Sequence, residues 1–409
     1  MKDVLVITQY FWPENFKIND LIFRLKKKYN FTVLTGEPNY PEGKIYSKYK
    51  LNKKKFNYFN NAKVHRVFTI TRGNSKIKLF LNYINFIFCA SIYSLIFFKK
   101  KKFDLIFVCG YSPVFSIIPA IILKKIYKIP VVLWVLDLWP DTLKAMGVIK
   151  SNLIINLLHF FINRIYKNCE LILVQSKAML KKISKILKKK KNIIFFPTWA
   201  EDIFKKKLSK NKNKKSKGFF NILFAGNIGE AQDIELIFKC AIDLIKKNKK
   251  IKWIFVGEGR KYLWLRNNIK KHKVEKYFVL LGKKPLNEMP MVYKIADIFL
   301  VSLKKKKVFE DTVPGKVQSY MMYGKPLLGL VSGETRKLIL KSKSGLVANS
   351  GSQKDFKKVL TKFLTLNNFS LNKMGDNAKR FAIKNYDSGI SMKKIEKYFN
   401  SIIKKSNEK

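Results

Sequence analysis

Short apolar runs alternate with longer amphipathic segments through the first half of the chain. Those with the length of buried strands are Val4–Thr8, Phe31–Thr35, Leu105–Cys109, Val131–Leu136, Leu171–Gln175 and Ile193–Phe196. Helical patterns lie between them, over Asp20–Tyr29, Pro113–Lys128 and Ser151–Lys167. Strands that are apolar on both faces and are separated by helices predict a parallel, doubly wound sheet.

The alternation lapses between Lys205 and Gly218 into lysine, asparagine and serine, which is typical of a linker. It then restarts, with predicted strands at Phe220–Ala225, Lys252–Val256, Val279–Leu281, Ile298–Leu303 and Pro326–Leu330. Helices are predicted near Asp233–Lys247, Arg260–Lys271 and Lys354–Leu364, followed by a helical tail, Ser370–Lys404. We therefore predict an α/β protein with two similar domains at 1–203 and 219–380, a basic linker at 204–218, and C-terminal helices at 381–409 that return to the first domain.

One segment of the first half could belong to a membrane. Leu79–Phe98 is uncharged over the length that a membrane span needs, and Lys99–Lys102 follow it directly. It also contains polar residues, and a span here would separate strands of the first sheet. We expect a buried or interfacial helix that dips into the bilayer surface, with its lysine run on anionic headgroups. A true span and an ordinary core helix are the alternatives.

Charge is the unusual feature of the composition. Lysine and arginine number 84 against 27 aspartates and glutamates, so the formal net charge is +57, which favours an anionic partner. Part of this imbalance reflects a background rich in lysine, asparagine and isoleucine, so charge alone does not indicate nucleic-acid binding. Hydrophobic content of 47% and aromatic content of 14% fit a globular protein.

Cysteine and histidine usage bears on compartment and on metals. The cysteines are widely spaced, as are the histidines, at Cys89, Cys109, Cys169, Cys240, His65, His159 and His272. This spacing fits a reducing cytosol and argues against a metal site, so we expect neither a metal nor another cofactor. The first apolar run, Val4–Ile7, is too short for the core of a signal peptide.

Two glycine-bearing turns of the second half follow predicted strands. They comprise Gly226, Asn227, Gly229 and Gln232 after the first strand, and Gly257, Gly259 and Arg260 after the next. Glycine lets backbone N–H groups approach a ligand's phosphates closely, and strand ends of an open parallel sheet line the ligand crevice. Neither turn is the G-x-G-x-x-G dinucleotide fingerprint. Taken alone, each turn is better explained as a plain tight turn than as a phosphate site.

A third loop, Val313–Pro326, reads as loop, helix, loop and contains Gly315 and Gln318. Helical spacing places Lys316, Ser319, Tyr320 and Tyr323 on one face, which we predict to be polar and open beside the helix N-terminus. Free N–H groups, the helix dipole and the lysine make a site for a phosphate there. A capped surface helix with a solvated lysine is the alternative, but three such loops in one half favour the phosphate site.

The first half has polar groups at strand ends as well. Asp137 and Asp141 follow the strand Val131–Leu136. A carboxylate there could position a hydroxyl or stabilise a positive charge, and we expect this of Asp137, while Asp141 is expected to cap the next helix. The loops Gln9–Asn19 and Glu37–Lys44 are aromatic and polar and are predicted to lie on the same sheet edge, where they suit contacts to sugars and lipid phosphates.

Together these motifs resemble the retaining GT-B glycosyltransferases of family four, most closely the fucosamine-transferase-like enzymes of surface polysaccharide synthesis. The resemblance covers nearly the whole chain. It rests on the segments Gln9–Asn15, Pro38–Lys44, Asp137–Pro140, Gly226–Gly229 with Gln232, Gly257–Gly259 and Val313–Pro326. It implies two facing Rossmann-like domains, with a nucleotide sugar in the C-terminal domain and an acceptor in the N-terminal domain.

The resemblance also implies roles for the candidate residues. Donor contacts are expected from Gly226, Asn227, Gly229, Gln232, Gly257, Gly259, Arg260, Gly315, Lys316, Gln318, Ser319 and Tyr320. Acceptor contacts are expected from Asn15, Asn19, Asn39, Tyr40 and Lys44, and catalytic roles from Asp137 and Lys316.

The chain departs from the family pattern at the donor site. The family has an arginine and a lysine where this chain has Asn227 and Gln232, and two glutamates where it has Asp311 and Ser319. We therefore expect Lys316 to supply the charge that neutralises the donor diphosphate.

The activity implied is metal-independent transfer of a sugar from a UDP-sugar, with retention, to an undecaprenyl-diphosphate-linked sugar acceptor. The donor sugar expected is an N-acetylated deoxysugar such as N-acetylfucosamine, and the products O-antigen, capsule or a colanic-acid-like polymer. The enzyme is expected in the bacterial cytoplasm, attached peripherally to the inner membrane.

Two other functions are weighed. A GT-B-like UDP-sugar 2-epimerase would share the layout and the UDP site but would need no lipid acceptor. A nucleic-acid-binding protein would use the charge but leave the three glycine-bearing loops without a role, and no recognised binding motif accompanies the charge.

Overall fold

The computed structural model describes residues 1–73, 75–111, 113–145, 149, 151–187, 192–206, 218–247 and 250–408. The chain divides into two compact units. The first unit is Met1–Pro197 with Met392–Lys409, and the second unit is Thr198–Ser391. Each unit contains its own sheet with helices.

The first unit has an eight-stranded sheet in the order β3-β4-β2-β1-β5-β6-β7-β8. Its strands are β1 (Lys2–Ile7), β2 (Tyr29–Gly36), β3 (Tyr58–Phe59), β4 (Ala62–Val67), β5 (Leu105–Gly110), β6 (Val131–Val135), β7 (Leu171–Val174) and β8 (Ile193–Phe195). Neighbours are parallel except for the β3–β4 pair, and Val4 of β1 lies opposite Phe31 on one side and Leu105 on the other. The parallel sheet predicted from the doubly apolar strands is thereby confirmed.

Helices connect these strands: α1 (Lys17–Leu25), α2 (Ser47–Leu51), α3 (Lys76–Phe97), α4 (Ile118–Tyr127), α5 (Asp141–Ala145), α6 (Asn152–Lys167) and α7 (Lys177–Leu187). A 3₁₀ helix, Val114–Ile117, precedes α4. The sequence pattern did not predict β3 and β4. The alternation in β4 is broken because His65 and Arg66 are adjacent polar residues in the strand.

Helix α3 contains the uncharged segment. Its part Ile77–Phe97 is long and apolar enough to cross a membrane, as judged by length and composition. However, Asn82, Phe86, Ala90 and Ser94 recur every fourth residue and are fully buried in the first unit. One stripe of α3 therefore belongs to the protein core, as expected of a helix that lies on the unit.

The second unit has a six-stranded sheet in the order β11-β10-β9-β12-β13-β14, and every neighbouring pair is parallel. Its strands are β9 (Phe220–Ala225), β10 (Ile251–Val256), β11 (Phe278–Leu280), β12 (Ile298–Ser302), β13 (Leu327–Leu330) and β14 (Gly345–Ala348). The helices are α8 (Ile234–Lys246), α9 (Tyr262–Lys271), α10 (Met289–Ile295), α11 (Lys307–Glu310), α12 (Gly315–Tyr323), α13 (Gly333–Lys341), α14 (Gln353–Thr365) and α15 (Asn368–Tyr386).

The C-terminal tail forms two helices, α15 and α16 (Ser388–Asn407), which belong largely to different units. In α15, Ala378 and Ala382 are buried in the core of the second unit. In α16, the fully buried Phe399 packs its ring on Tyr29 and Phe107 of the first unit. The returning segment therefore begins at Met392, after the predicted start at 381.

The predicted linker lies mostly outside the described residues, which resume at 218. Its first residues are not a linker. Phe204 is buried in the second unit, and the Lys205 ammonium forms ion pairs with Asp202 and Asp387. The second unit accordingly starts at Thr198, before the predicted linker.

Candidate functional site

Two glycine-bearing turns meet at the carboxyl ends of β9 and β10. The amide of Ile228 donates to the Glu258 carbonyl (2.8 Å), and the amide of Lys261 donates to the Ile228 carbonyl (2.9 Å). Gly257 has φ +122°, and a Cβ there would lie 2.1 Å from the carbonyl oxygen of Gly226. Only glycine allows this approach, so the turns predicted from sequence form one continuous backbone surface.

Lys316, near the start of α12, joins this surface from the third loop. A Cβ on Gly226 would lie 3.1 Å from the Lys316 Nζ atom, so the ammonium occupies the space that a side chain at position 226 would take. The same Nζ lies 3.6 Å from the centre of the Phe224 ring. The three loops that the sequence analysis grouped are therefore brought together around one lysine.

The Lys316 ammonium has no hydrogen-bond acceptor among the described residues, although its Nζ is enclosed by protein. Burial lowers the pKa of Lys316 to about 7, because a charge is costly without water or a counter-ion. The face of the Phe224 ring offsets part of that cost through its negative quadrupole. The described residues therefore leave the hydrogen-bonding capacity of this ammonium unused.

The rest of α12 differs from the predicted open polar face. Residues 317–323 are all buried. The Tyr320 hydroxyl accepts a hydrogen bond from the Ala225 amide (2.6 Å), and the Tyr323 hydroxyl donates to the Pro290 carbonyl (3.1 Å). These tyrosines face the core because each hydroxyl finds a backbone partner there. Tyr320 therefore holds the end of β9 in place, and its hydroxyl is not open to a ligand.

Two more predicted donor residues on α12 are engaged within the protein. In the amide orientation that satisfies both of its polar atoms, the Gln318 side-chain nitrogen donates to the carbonyls of Gly315 (2.8 Å) and Pro314 (2.9 Å). The Ser319 hydroxyl donates to the Glu201 carboxylate, which sequence reasoning did not single out. Gly315 itself is exposed at the first turn of the helix, where backbone N–H groups have no acceptor within the helix.

The remaining donor candidates lie on the two turns. The Gln232 side chain accepts a hydrogen bond from the Gly229 amide (3.2 Å), so that amide is already occupied. Asn227 and Arg260 are exposed. The amides of Gly226 and Gly257 are occupied too, since they donate to the carbonyls of Val256 (2.8 Å) and Gly282 (2.7 Å). Of the predicted donor groups, the side chains of Asn227 and Arg260 and the first turn of α12 are thus left open to a ligand.

Asp137 lies in the first unit, just beyond the end of β6. Burial raises the pKa of the Tyr83 hydroxyl to about 12, and the negative charge of Asp137 contributes to this rise. The Tyr83 ring in turn packs edge-on against Trp139, with ring centres 5.9 Å apart. Asp141 is the first residue of α5 and pairs with the Lys182 ammonium (3.5 Å). It lies inside the first turn of the helix and not at the position before it, so its capping role stays a prediction.

Glu14 organises the two loops of the first unit that were predicted to contact an acceptor. Its carboxylate accepts hydrogen bonds from the backbone amides of Phe11 (3.1 Å), Asn39 (2.7 Å) and Tyr40 (2.7 Å). It therefore ties the loop Gln9–Asn19 to the loop Glu37–Lys44. Burial raises the pKa of Glu14 to about 7 against the opposing effect of these three donors. Glu14 lies within the motif Gln9–Asn15, but no role was predicted for it from the sequence.

The predicted acceptor residues divide into structural and exposed ones. The side-chain amide of Asn19 donates to the Glu14 backbone carbonyl (2.6 Å), and that of the buried Asn39 donates to the Glu37 backbone carbonyl (2.8 Å). Asn15, Tyr40 and Lys44 are exposed. The shape of the loops therefore depends on Asn19 and Asn39, whereas Asn15, Tyr40 and Lys44 are open to a ligand.

A cleft of about 490 Å³ lies elsewhere in the first unit, beside β4, and contains none of the predicted site residues. His65, Arg66, Tyr49 and Tyr93 are among the residues that line it. Burial lowers the pKa of His65 to about 4. Across the described residues of both units, no group of three or more His, Cys, Asp or Glu side chains could hold a metal ion.

Comparison with known proteins gives these sites a context. Residues 205–381 match the family of Glycosyl transferases group 1. WbjE of Pseudomonas aeruginosa, described as a glycosyltransferase, is 27% identical over 262 residues, covering 60% of this chain and 62% of WbjE. WcaI of Escherichia coli K12, described as a colanic acid biosynthesis glycosyl transferase, is 24% identical over 314 residues, covering 71% of this chain and 73% of WcaI. The chain thus aligns with less than two thirds of WbjE.

A solved structure extends the comparison to the whole fold. Anabaena Alr3699/HepE in complex with UDP has a TM-score of 0.70 at 13% identity, covering 98% of this chain and all of that one. The arrangement of two parallel-sheet units with C-terminal helices is the GT-B fold, which confirms the predicted fold class. The residues that match the Glycosyl transferases group 1 family, 205–381, lie within the second unit.

Proposed function

We propose that this protein is a retaining, metal-independent glycosyltransferase that uses a UDP-sugar donor in surface polysaccharide synthesis. The donor sugar expected is an N-acetylated deoxysugar such as N-acetylfucosamine, in line with the fucosamine-transferase resemblance. The acceptor expected is a sugar linked to undecaprenyl diphosphate. An enzyme with such an acceptor works at the cytoplasmic face of the inner membrane, so we place it there as a peripheral protein.

The enclosed Lys316 ammonium is the observation that carries this proposal. It lies beside Gly226 at the meeting point of two glycine-bearing turns, and it has no acceptor among the described residues. A diphosphate at the exposed Gly226 would supply the missing acceptor and the missing counter-charge. The first turn of α12 adds backbone N–H groups and the positive end of the helix dipole.

The same lysine suits the chemistry of sugar transfer. As the acceptor oxygen bonds to the anomeric carbon, the bond from that carbon to the diphosphate breaks and UDP takes the electron pair. The acceptor proton leaves to a phosphate oxygen of the departing UDP. Lys316 and the α12 N-terminus would stabilise the negative charge that grows on the diphosphate. In the first unit, Asp137 is proposed to orient the acceptor hydroxyl or the reacting sugar.

A transfer assay with the full chain tests the proposal. Purified protein is incubated with a panel of UDP-sugars and an undecaprenyl-diphosphate-linked sugar, and products are followed by mass spectrometry. We expect one UDP-sugar to be consumed and its sugar to appear on the lipid, without added metal and in the presence of a chelator. The anomeric configuration of the product, read by NMR, should match that of the donor.

Matched variants identify the residues involved. Lys316→Met should abolish transfer, whereas Lys362→Met removes an exposed lysine from α14 and should leave transfer unchanged. Asp137→Asn should lower kcat without changing UDP affinity. Conversion of the UDP-sugar to an epimer without any acceptor, or full activity of Lys316→Met, would overturn the proposal.

A further inference from the structure

Helix α3 carries an apolar stripe that faces away from the protein. Its residues Ile77, Phe80, Leu81, Ile84, Phe88, Ile92, Leu95, Ile96 and Phe97 are all exposed. Phe80 and Phe88 each expose 63% of their surface. Soluble monomers rarely expose so many large apolar side chains side by side, so this outer stripe of α3 needs a covering partner.

The opposite stripe of α3 holds the helix to the first unit. The Gln9 side-chain amide donates to the Asn82 amide oxygen (2.7 Å), and the Ile70 amide donates to the Asn85 side chain (2.8 Å). Phe86 and Ala90 are fully buried in the core. Because these contacts anchor α3 along its length, the helix presents its outer stripe from the surface of the unit.

A second helix repeats this pattern. On α6, the residues Leu153, Ile154, Leu157, Phe160 and Phe161 are exposed, from 46% for Phe161 to 81% for Leu153. The inner side of α6 is buried through Ile155, Ile162 and Ile165. The apolar pattern of α6 continues around more than one face of the helix, but no membrane role was predicted for it from the sequence.

The two outer stripes point to the same side of the first unit. Helix α3 connects β4 to β5, and α6 connects β6 to β7, and both connections step in the same direction across the sheet. Right-handed crossovers therefore place both helices on one face of the sheet. Both also contact the 3₁₀ helix Val114–Ile117. The outer stripes of α3 and α6 thus belong to a single helical layer.

The charge around this layer selects an anionic partner. Residues 43–103, which include α3, and residues 142–169, which include α6, contain no aspartate or glutamate. Lys99–Lys102 at the end of α3 are all exposed. An apolar surface bordered by lysines matches a bilayer with anionic headgroups, because its acyl boundary takes the apolar side chains and its headgroups take the lysines. A second copy of this chain would bring the same positive charge and be repelled.

We infer that α3 and α6 together form one membrane-docking surface that lies in the plane of an anionic bilayer. Its apolar part is the two outer stripes, and its charged part is the lysine run after α3. The inference rests on the membrane attachment in the proposed function and deepens it by adding α6 as a second part of the contact surface. It does not depend on which sugar is transferred.

Vesicle flotation of the full chain tests this surface. Vesicles of phosphatidylcholine with one quarter phosphatidylglycerol are compared with pure phosphatidylcholine vesicles. We expect strong binding to the anionic vesicles and weakening in 0.5 M salt, since salt screens the headgroup attraction. Phe88→Glu on α3 and Leu157→Glu on α6 should each lower the partition coefficient by roughly tenfold, because a carboxylate is driven into the interface. Phe369→Glu, which alters a 73% exposed side chain of the second unit, is the matched control and should bind like wild type.

The outcomes separate this inference from the proposed function. The urea unfolding midpoint and far-UV circular dichroism of each variant check the first unit, and unchanged values show that a loss of flotation is not a loss of fold. UDP titrations report separately on the second unit. Normal flotation of Leu157→Glu, or equal loss for Phe369→Glu, would refute the two-helix surface. Self-association that Phe88→Glu removes, without any vesicle binding, would assign the surface to a second copy and also refute it. A protein that floats as expected but fails to bind UDP would leave this surface standing and remove the proposed donor site.

Discussion

Replacing Lys316 by methionine should make the protein more stable and unable to bind its donor. The lysine is charged in the unfolded chain with a pKa of 10.5, but burial lowers its pKa to about 7 in the folded protein. At 1.36 kcal/mol per pKa unit, this drop corresponds to about 5 kcal/mol of destabilisation when the lysine is charged. The cation–π contact with the Phe224 ring, whose centre lies 3.6 Å from Nζ, offsets up to about 2 kcal/mol of this destabilisation. Methionine has a similar length and no charge, so we expect a net gain of roughly 3 kcal/mol at pH 7 from these two effects.

The pH dependence gives this prediction a sign that can be checked. Because the folded-state pKa lies below the unfolded-state pKa, the destabilisation is complete below pH 7. It declines as the pH rises and disappears near pH 10.5. The stability difference between Lys316→Met and wild type should therefore be largest below pH 7 and vanish at high pH. Urea denaturation across pH 6 to 10 measures it, and Lys362→Met on the exposed side of α14 should follow wild type at every pH.

Donor binding supplies the second half of the test. A diphosphate beside Gly226 would restore the charge of Lys316 by giving it a counter-ion, so UDP binding at pH 8 should take up about one proton. Calorimetry in buffers of different ionisation enthalpy reports that uptake, which Lys316→Met should lack together with most of the affinity. The reasoning is refuted if the methionine variant is less stable than wild type, or if it binds UDP normally.

Three further predictions address the supporting structure. Gly257→Ala places a Cβ 2.1 Å from the Gly226 carbonyl and should weaken UDP binding at least tenfold by calorimetry, whereas Gly282→Ala, with positive φ but open space, should cost only about 1 kcal/mol of stability. Glu14→Ala leaves three backbone amides without their acceptor at about 1–3 kcal/mol each, so acceptor KM should rise while UDP affinity stays constant. Phe399→Ala should destabilise the first unit by about 3–5 kcal/mol in urea denaturation, because it empties a fully buried site between Tyr29 and Phe107. Unchanged affinity for Gly257→Ala, unchanged acceptor KM for Glu14→Ala, or an unchanged urea midpoint for Phe399→Ala would contradict the respective arguments.

The local pattern of the sequence determined the two sheets and the position of the donor loops. Strands buried on both faces are apolar along most of their length, so β9 and β12 appear in the sequence as nearly continuous apolar runs. The glycine-bearing turns that follow β9 and β10 then fall at one edge of the parallel sheet. The same local pattern failed at β4, where His65 and Arg66 interrupt the alternation. It also failed at the tail, which the pattern predicts as one helical segment but which forms two helices that belong largely to different units.

Only the tertiary structure decided which polar groups of the site are used by the protein itself. Helical spacing correctly grouped Lys316, Ser319 and Tyr320, but it predicted an open face where the helix is buried. Spacing reports which side chains are neighbours, whereas burial depends on distant partners such as Glu201 for Ser319 and Ala225 for Tyr320. Lys316, by contrast, is enclosed by protein and has no hydrogen-bond acceptor among the described residues. Local sequence could not predict this, because the presence of an acceptor depends on residues that are distant along the chain.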